Sequence, residues 1–220
     1  MQEGLYTVAE WLFWIGIFIV FYTYLGYGIL LYLLVRIKEL FRKPMPIALP
    51  EPLPEVTLFI AAYNEEEIVA DKMKNCYTLT YPADKLKIVW VTDGSNDRTN
   101  ELLKQYPDVT VLFHPERRGK TAALNRGIQY ITTPYVIFTD ANTMLNKEAV
   151  HEIVRQFSNP KVGCVAGEKR VETNTAQGAT AGEGIYWKYE SALKALDFRL
   201  YSAVGAAGEL FAVRTELFEQ

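Results

Sequence analysis

The sequence predicts an α/β domain with a mostly parallel sheet, preceded by one transmembrane helix. Three observations lead to this prediction: a long charge-free apolar segment near the start, a regular alternation of strand-like and helical segments after residue 56, and polar residues wherever a strand-like run ends. Apolar strands separated by helices are typical of parallel sheets that are covered on both faces.

The first element is an apolar segment from Trp11 to Val35, which holds 25 residues without a charge. As a helix it would reach roughly 37 Å, whereas the hydrocarbon core of a bilayer is about 30 Å thick. Acids precede the segment and no small-residue cleavage site follows a short core, so a retained anchor is favoured over a cleaved signal peptide. The alternative is a buried helix of a soluble protein, which should carry polar residues on one face.

Charges on either side of this segment predict its orientation. Only acids precede it, while Arg36, Lys38, Arg42 and Lys43 follow it. The positive-inside rule then places the rest of the chain in the cytoplasm, as a single-pass membrane protein that contacts lipid. The predicted parts are an anchor with its basic flank (1–43), a stiff proline-rich linker (44–55) and a folded domain (56–220).

Composition excludes two classes of function. The net charge is −3 and no basic cluster exists beyond the flank, which argues against nucleic acid as a partner. Cys76 and Cys164 are far apart and form no C-x-x-C pair, and with two histidines they make a poor zinc set. We expect both cysteines to be reduced packing residues.

The folded domain is predicted from its alternating pattern. The expected strands are Val56–Ala62, Leu86–Thr92, Val109–Phe113, Tyr135–Thr139 and Val162–Ala166, and the expected helices are Glu65–Thr80, Asp97–Tyr106, Lys120–Ile131 and Lys147–Phe157. In such sheets ligands bind outside the carboxyl ends of the strands.

Polar residues cluster at those predicted strand ends. The run Asp93–Asp97 follows one strand and Asp140–Asn142 follows another, with Lys120 between them in the sequence. A cation and two carboxylates in tight turns indicate a ligand that carries phosphate and a metal. Helix capping is the plainer explanation: it is favoured for Glu66 and Glu67, and for Asp97 capping and ligand binding stay equally open.

A second alternative is a P-loop, because Gly119-Lys120-Thr121 follows a strand and opens a helix. The P-loop pattern requires glycine at position 114, but the sequence has His114 followed by Pro115, which has no N–H to offer a phosphate. This reading is therefore disfavoured.

Four segments together resemble a known family. Val56–Glu65, Asp93–Asp97, Arg117–Asn125 and Thr139–Thr143 look, in order and spacing, like family 2 glycosyltransferases. The resemblance is strongest to the membrane-attached branch that includes cellulose, hyaluronan and poly-N-acetylglucosamine synthases.

The resemblance implies a GT-A fold and polysaccharide synthesis by inverting transfer from a UDP-sugar to a growing glycan at the cytoplasmic face. It also implies Mg²⁺ or Mn²⁺, a nucleotide-sugar and a glycan acceptor as partners, and further synthase or secretion subunits. The positions that match the family's donor site are Ala62, Tyr63, Glu65, Asp93, Gly94, Lys120 and Asp140, and the metal would be held by Asp140 and Asn142.

Two departures from the family pattern set limits on this expectation. Asn142 stands where many relatives carry a second aspartate, which removes one negative charge while keeping an oxygen ligand. The acidic catalytic base of relatives is expected beyond Gln220, so the chain looks truncated. A catalytically incomplete sugar-nucleotide-binding membrane module is therefore a second reading. The aromatic segment Gly182–Tyr201 is expected to pack on the sheet or to stack on acceptor sugars.

Overall fold

The computed structural model describes residues 2–42, 46–168, 178–203, 205–206 and 208–219. The chain divides into two compact units: the first combines Met1–Met45 with Arg170–Val204, and the second combines Pro46–Lys169 with Gly205–Gln220. The helices are α1 (Gln2–Phe21), α2 (Tyr27–Phe41), α3 (Val69–Tyr77), α4 (Thr99–Leu103), α5 (Lys120–Ile128), α6 (Ala149–Phe157) and α7 (Gly178–Leu200). The strands are β1 (Val56–Ala62), β2 (Leu86–Asp93), β3 (Val109–His114), β4 (Tyr135–Asp140), β5 (Cys164–Ala166) and β6 (Leu210–Arg214).

In the first unit α1 and α2 join through a π-helical turn, Tyr22–Gly26, into one long helix. Its stretch Tyr6–Phe41, 36 residues, is long and apolar enough to cross a membrane, and only 6% of its most apolar window is buried. The alternative of a buried core helix therefore does not describe this segment. A bilayer anchor is an inference from length and composition alone.

Helix α7 belongs to the same unit and packs along α2. The hydroxyl of Tyr27 donates to Oδ1 of Asp197 at 2.6 Å, and the guanidinium of Arg199 lies 2.6 Å from Oε1 of Glu39. Lys38 donates to the carbonyl oxygens of Arg199 and Leu200, which are orphan acceptors at the helix C-terminus. This aromatic helix therefore groups with the N-terminal helices, an association that the sequence did not predict.

The second unit contains a six-stranded sheet of order β3-β2-β1-β4-β6-β5. Strands β1 to β4 are mutually parallel, and β6 runs antiparallel to both β4 and β5. Alternate residues of β1 face opposite sides, so that Leu58 and Ile60 enter one apolar cluster and Phe59 enters the other. The predicted α/β fold with a mostly parallel sheet is confirmed, whereas strand β6 was not predicted.

The element boundaries differ from the prediction in a consistent way. Strand β1 has its predicted bounds, and β2, β3 and β4 each run one residue further, ending on Asp93, His114 and Asp140. The helices are shorter than predicted: α3, α4 and α6 begin two to four residues late, and α3, α4 and α5 end three residues early. Thus α3 begins at Val69, after a turn over residues 66–68.

Two further expectations need correction. The predicted linker is, from Pro46 on, part of the second unit: Leu53 packs against the core and its carbonyl oxygen accepts from Lys85 at 2.7 Å. Cys76 is free and buried as expected, but Cys164 is free and exposed, so a packing role is wrong for Cys164.

Candidate functional site

The site is built at the carboxyl ends of β1, β2 and β4. From β1 the chain proceeds to β2 and β3 on one side and then crosses to β4 on the other, which makes the β1/β4 junction a topological switch point. Ligands of open α/β sheets bind at such a point. The structure brings the predicted residues after all three strands to this one edge: Ala62, Tyr63 and Glu65 at β1, Asp93 and Gly94 at β2, and Asp140 and Asn142 at β4.

The loops after β1 and β2 are joined by paired amide contacts. The side-chain nitrogen of Asn64 donates to Oδ1 of Asn96 at 2.8 Å, and the Asn96 N–H donates to Oδ1 of Asn64 at 2.9 Å. Asn64 has a positive φ of 52°, which asparagine tolerates better than most residues. The two loops therefore hold each other in a fixed arrangement.

Two further hydrogen bonds join the same two loops through the side chains of two acids. The Glu66 N–H donates to Oδ2 of Asp97 at 3.0 Å, and Oε2 of Glu66 accepts from the Arg98 N–H at 2.9 Å. Burial raises the pKa of Asp97, but hydrogen bonds from Thr99 and from the Glu66 N–H outweigh it and hold that pKa below its usual value. Asp97 also accepts from the N–H of Thr99, the first residue of α4, at 3.0 Å, which agrees with a role at the helix start. Glu66 lies in the turn before α3 and bonds to the loop after β2, so the expectation that it belongs to the first turn of its own helix is wrong.

Asp93 is a buried acid that binds its own chain. Its Oδ2 accepts from the N–H groups of Arg118 and Gly119 at 2.8 and 2.7 Å, and its Oδ1 lies 3.2 Å from the guanidinium of Arg126. Burial raises the Asp93 pKa, but the Arg118 N–H, the Arg126 side chain and the Gly119 N–H together lower it below its usual value. The carboxylate therefore fixes the loop that leads into α5.

The same contacts exclude the P-loop alternative. In a P-loop the backbone N–H groups before the lysine point at phosphate. Here the N–H groups of Arg118 and Gly119 point at Asp93 instead.

Gly94 lets that loop approach β2. It has a φ of +73°, and a Cβ at this position would lie 2.6 Å from the backbone nitrogen of Arg117. Its own N–H is taken by the carbonyl oxygen of His114 at 2.8 Å. The close approach places the Arg117 guanidinium 3.8 Å from the ring centroid of Tyr63, a cation–π contact over the end of β1.

Lys120 and Asp140 form a pair that a ligand can reach. The ammonium of Lys120, the first residue of α5, lies 2.5 Å from Oδ1 of Asp140 and 2.9 Å from the carbonyl oxygen of Gly208. Their side chains are 46% and 30% exposed, so this pair is open to exchange with a ligand. Asp140 is also tied by its N–H to the carbonyl oxygen of Glu209 at 3.3 Å.

Glu65 adds negative charge beside this pair. Burial raises the pKa of Glu65, and the charges of Asp140 and Asp97 raise it further. Neighbouring carboxylates disfavour each other's ionisation, and an added cation relieves that repulsion.

The donor set fits a hard divalent cation that is shared with a phosphate ligand. Within the described ranges, no three Asp, Glu, His or Cys side chains gather as a metal cage. Asp140 offers one carboxylate, and the exposed Asn142 offers a neutral oxygen two residues later. Mg²⁺ binds in this manner, through one or two carboxylates, substrate phosphates and water.

Three cationic residues at this site were missed by sequence reasoning. Arg126 and Arg117 gave no signal, because surface arginines are common in any helix or loop. Lys72 did give a signal, because it lies on the same buried face of α3 as Val69 and Met73. A charged residue among the apolar residues of one helix face is unusual.

Solved structures with the same fold are similar to this chain. A mannosyltransferase of Pyrobaculum calidifontis, PcManGT, in complex with GDP-Man and Mn²⁺, is 26% identical with a TM-score of 0.70, over 89% of this chain and 54% of that one. TarS of Staphylococcus aureus in complex with UDP-GlcNAc is 17% identical with a TM-score of 0.50, over 56% of this chain and 37% of that one. The second likeness shows the fold alone.

Sequence relatives lead to the family. A poly-beta-1,6-N-acetyl-D-glucosamine synthase of Staphylococcus aureus is 34% identical over 130 residues, which make 57% of this chain and 31% of that protein. The synthase of Staphylococcus epidermidis is 29% identical over 153 residues, 68% of this chain and 37% of that protein. Each match thus spans about a third of the relative. Glycosyl transferase family 2 matches residues 57–220, and the chain therefore belongs to that family.

Proposed function

We propose that this chain is the donor-binding part of a membrane-anchored glycosyltransferase that transfers a sugar, with inversion, from a UDP-sugar to a growing glycan at the cytoplasmic face. The observation that carries the proposal is the exposed Lys120–Asp140 pair beside Asn142, at the switch point of the sheet. Membership of the family and similarity to polysaccharide synthases support it.

The proposed donor diphosphate suits these side chains. When the bond between sugar and diphosphate breaks, negative charge develops on the leaving oxygens, and cations fixed beforehand stabilise it. Asp140 and Asn142 would hold Mg²⁺ or Mn²⁺, which supplies neutralising charge to the diphosphate when bound. Lys120 would exchange its bond with Asp140 for one with a phosphate oxygen.

The nucleoside is proposed to lie against the ends of β1 and β2. Tyr63, stacked with Arg117, offers a flat surface there, and Glu65 offers a carboxylate toward a ribose hydroxyl. Ala62 and Gly94 would allow close backbone approach. Asp93 already accepts three hydrogen bonds from the chain, so the predicted contact with uracil or ribose would need its remaining lone-pair direction.

The acceptor side of the reaction needs an acid that takes the proton of the attacking hydroxyl. No described residue is assigned to this role. We propose that residues 1–43 supply the anchor and that 56–220 supply the donor half of the transferase. The catalytically incomplete module predicts the same donor binding without transfer by the complete protein.

Calorimetry tests this proposal. The full chain in lipid nanodiscs is titrated with UDP, with and without Mn²⁺, and with GDP and ATP for comparison. We expect UDP to bind and Mn²⁺ to tighten it at least tenfold. Tighter binding of GDP, the nucleotide of the PcManGT ligand, would make a UDP-sugar the wrong donor. No binding of either diphosphate would overturn the function.

A further inference from the structure

We propose that Lys72, together with Asn75, is a positioning residue for the turn Asp140–Thr143. Both side chains belong to helix α3 and hold the main chain of this turn and of the residues after it through hydrogen bonds. The inference rests on the proposed function, because it concerns the turn that would hold the metal. Lys72 is fully buried, and no charged ligand can reach it from solvent.

The contacts of Lys72 span the turn. Its ammonium donates to the hydroxyl of Thr139 at 3.3 Å, just before the turn, and to the carbonyl oxygen of Thr143 at its far end. The Thr143 N–H also donates to the carbonyl oxygen of Asp140 at 3.2 Å. The spacing between the two ends of the turn is therefore set by one buried cation.

Asn75 holds the next part of the same loop. Lying one helical turn beyond Lys72, it donates to the carbonyl oxygen of Leu145 and accepts from the Leu145 N–H, both at 2.8 Å. The two side chains of α3 thus fix the main chain at residues 143 and 145. The two metal-binding candidates, Asp140 at the end of β4 and Asn142 after it, directly precede these fixed points in the chain.

Burying a lysine ammonium away from water costs free energy, so an apolar side chain would be expected here if the position served packing alone. Neither hydrogen-bond partner of Lys72 carries a charge. Burial lowers the Lys72 pKa to about 8, while the negative charge of Asp140 opposes this shift, so the ammonium stays mostly protonated at neutral pH. Protonated, it keeps three donors, more than any neutral side chain of its length offers.

The variant Lys72→Met tests the inference, since it keeps an unbranched side chain only one atom shorter and removes its donors. Its control is Lys74→Met on the exposed face of the same helix. UDP affinity is measured by calorimetry without metal, and Mn²⁺ binding at saturating UDP is measured by electron paramagnetic resonance. We expect Lys72→Met to keep metal-free UDP affinity within twofold and to weaken Mn²⁺ binding at least tenfold, with no change in the control.

Three outcomes separate the explanations. Mn²⁺ binding that is unchanged in Lys72→Met, or strengthened because a repelling charge is gone, overturns the positioning role. If Lys72→Met does not fold by circular dichroism, Thr139→Val removes one partner only and should weaken Mn²⁺ binding two- to threefold; unchanged binding there also overturns it. Failure of the unmodified chain to bind UDP would instead sink the proposed function.

Discussion

The ammonium of Lys120 and Oδ1 of Asp140, 2.5 Å apart, make an ion pair at the oxygen that a divalent cation would need. Under the proposed function, Lys120 and the metal would compete for Asp140 as long as no diphosphate offers Lys120 another partner. With nucleotide bound, Lys120 would pair with a phosphate oxygen and leave Asp140 to the metal. Metal binding is thus expected to depend on nucleotide.

Replacing Lys120 should separate these two effects. Lys120→Met is expected to strengthen binding of Mn²⁺ alone, because Asp140 is released, and to weaken binding of UDP by about 1.5–3 kcal/mol, the size of a charge-assisted hydrogen bond. Electron paramagnetic resonance measures the first and calorimetry the second, with the exposed Lys104→Met as control. Unchanged binding of Mn²⁺ alone would show that the ion pair does not compete with the metal.

Asp140 should contribute more than Asn142 to the binding of Mn²⁺. Asp140→Asn is expected to abolish nearly all of the Mn²⁺-dependent tightening of UDP, since it removes the carboxylate at the end of β4. Asn142→Asp should strengthen Mn²⁺ binding, because it adds a second charged oxygen ligand at an exposed position. Both are followed by calorimetry, with circular dichroism as a check on folding. A folded Asp140→Asn variant with full metal dependence would place the metal elsewhere.

The buried Asp93 should control stability in acid. Because its pKa is lowered in the folded state, its contribution is present above its ordinary pKa of about 4 and is lost as the pH falls through the folded value. Asp93→Asn should cost about 3 kcal/mol at neutral pH, since it leaves Arg126 without its anion, and should flatten the loss of stability as the pH falls below about 4. Urea unfolding across pH measures both, and an unaltered acid limb would contradict the assignment.

Gly94 should be sensitive for steric reasons beyond its backbone angle. Gly94→Ala places a Cβ 2.6 Å from the Arg117 nitrogen at a φ of +73°, whereas Gly119, at +90°, has nothing within 4 Å of its Cβ position. Gly94→Ala and Gly119→Ala should both introduce backbone strain of about 1–3 kcal/mol, because both positions have a positive φ. Only Gly94→Ala must also displace the loop that contains Arg117. Hydrogen exchange of the amides of residues 116–119 should therefore accelerate more in Gly94→Ala than in Gly119→Ala. Equal acceleration would mean that strain alone explains the effect.

The orientation in the membrane can be measured by cysteine labelling. The exposed Cys164 must first be removed by Cys164→Ser, while buried Cys76 can stay. In that background Glu3→Cys should react with an impermeant reagent from outside intact cells, and Lys104→Cys only after lysis, as the positive flank predicts. The reverse pattern would move the site away from cytoplasmic sugar nucleotides.

The sheet was largely predictable because its strands are local apolar runs with polar ends. Asp93 and Asp140 stand at strand ends in the structure as the pattern required. Strand β6 was not predicted, since Leu210–Arg214 is short and takes its pairing from β4 and β5, which are distant in sequence. Tertiary pairing of this kind outweighs local propensity.

The candidate site divides in the same way. The sequence placed Lys120 and Asp140 at one edge, because topology fixes where strands end. It did not reveal that the carboxylate of Asp93 accepts hydrogen bonds from Arg118 and Arg126, since these contacts depend on how the loop before α5 folds back over β2. The contacts of Lys72 were equally hidden, although its place on an apolar stripe could have raised the question.

The position of β6 between β4 and β5 has a consequence for how the chain folds while it is being synthesised on the ribosome. Strand β5 pairs with β6, which is made 44 residues after β5 ends. Until Leu210–Arg214 emerges, one side of β4 bears unpaired backbone groups next to Ile137 and Phe138. An open apolar edge of this kind invites pairing with other chains. A nascent chain that pauses before residue 210 is thus at its most vulnerable to aggregation, although four parallel strands are already complete.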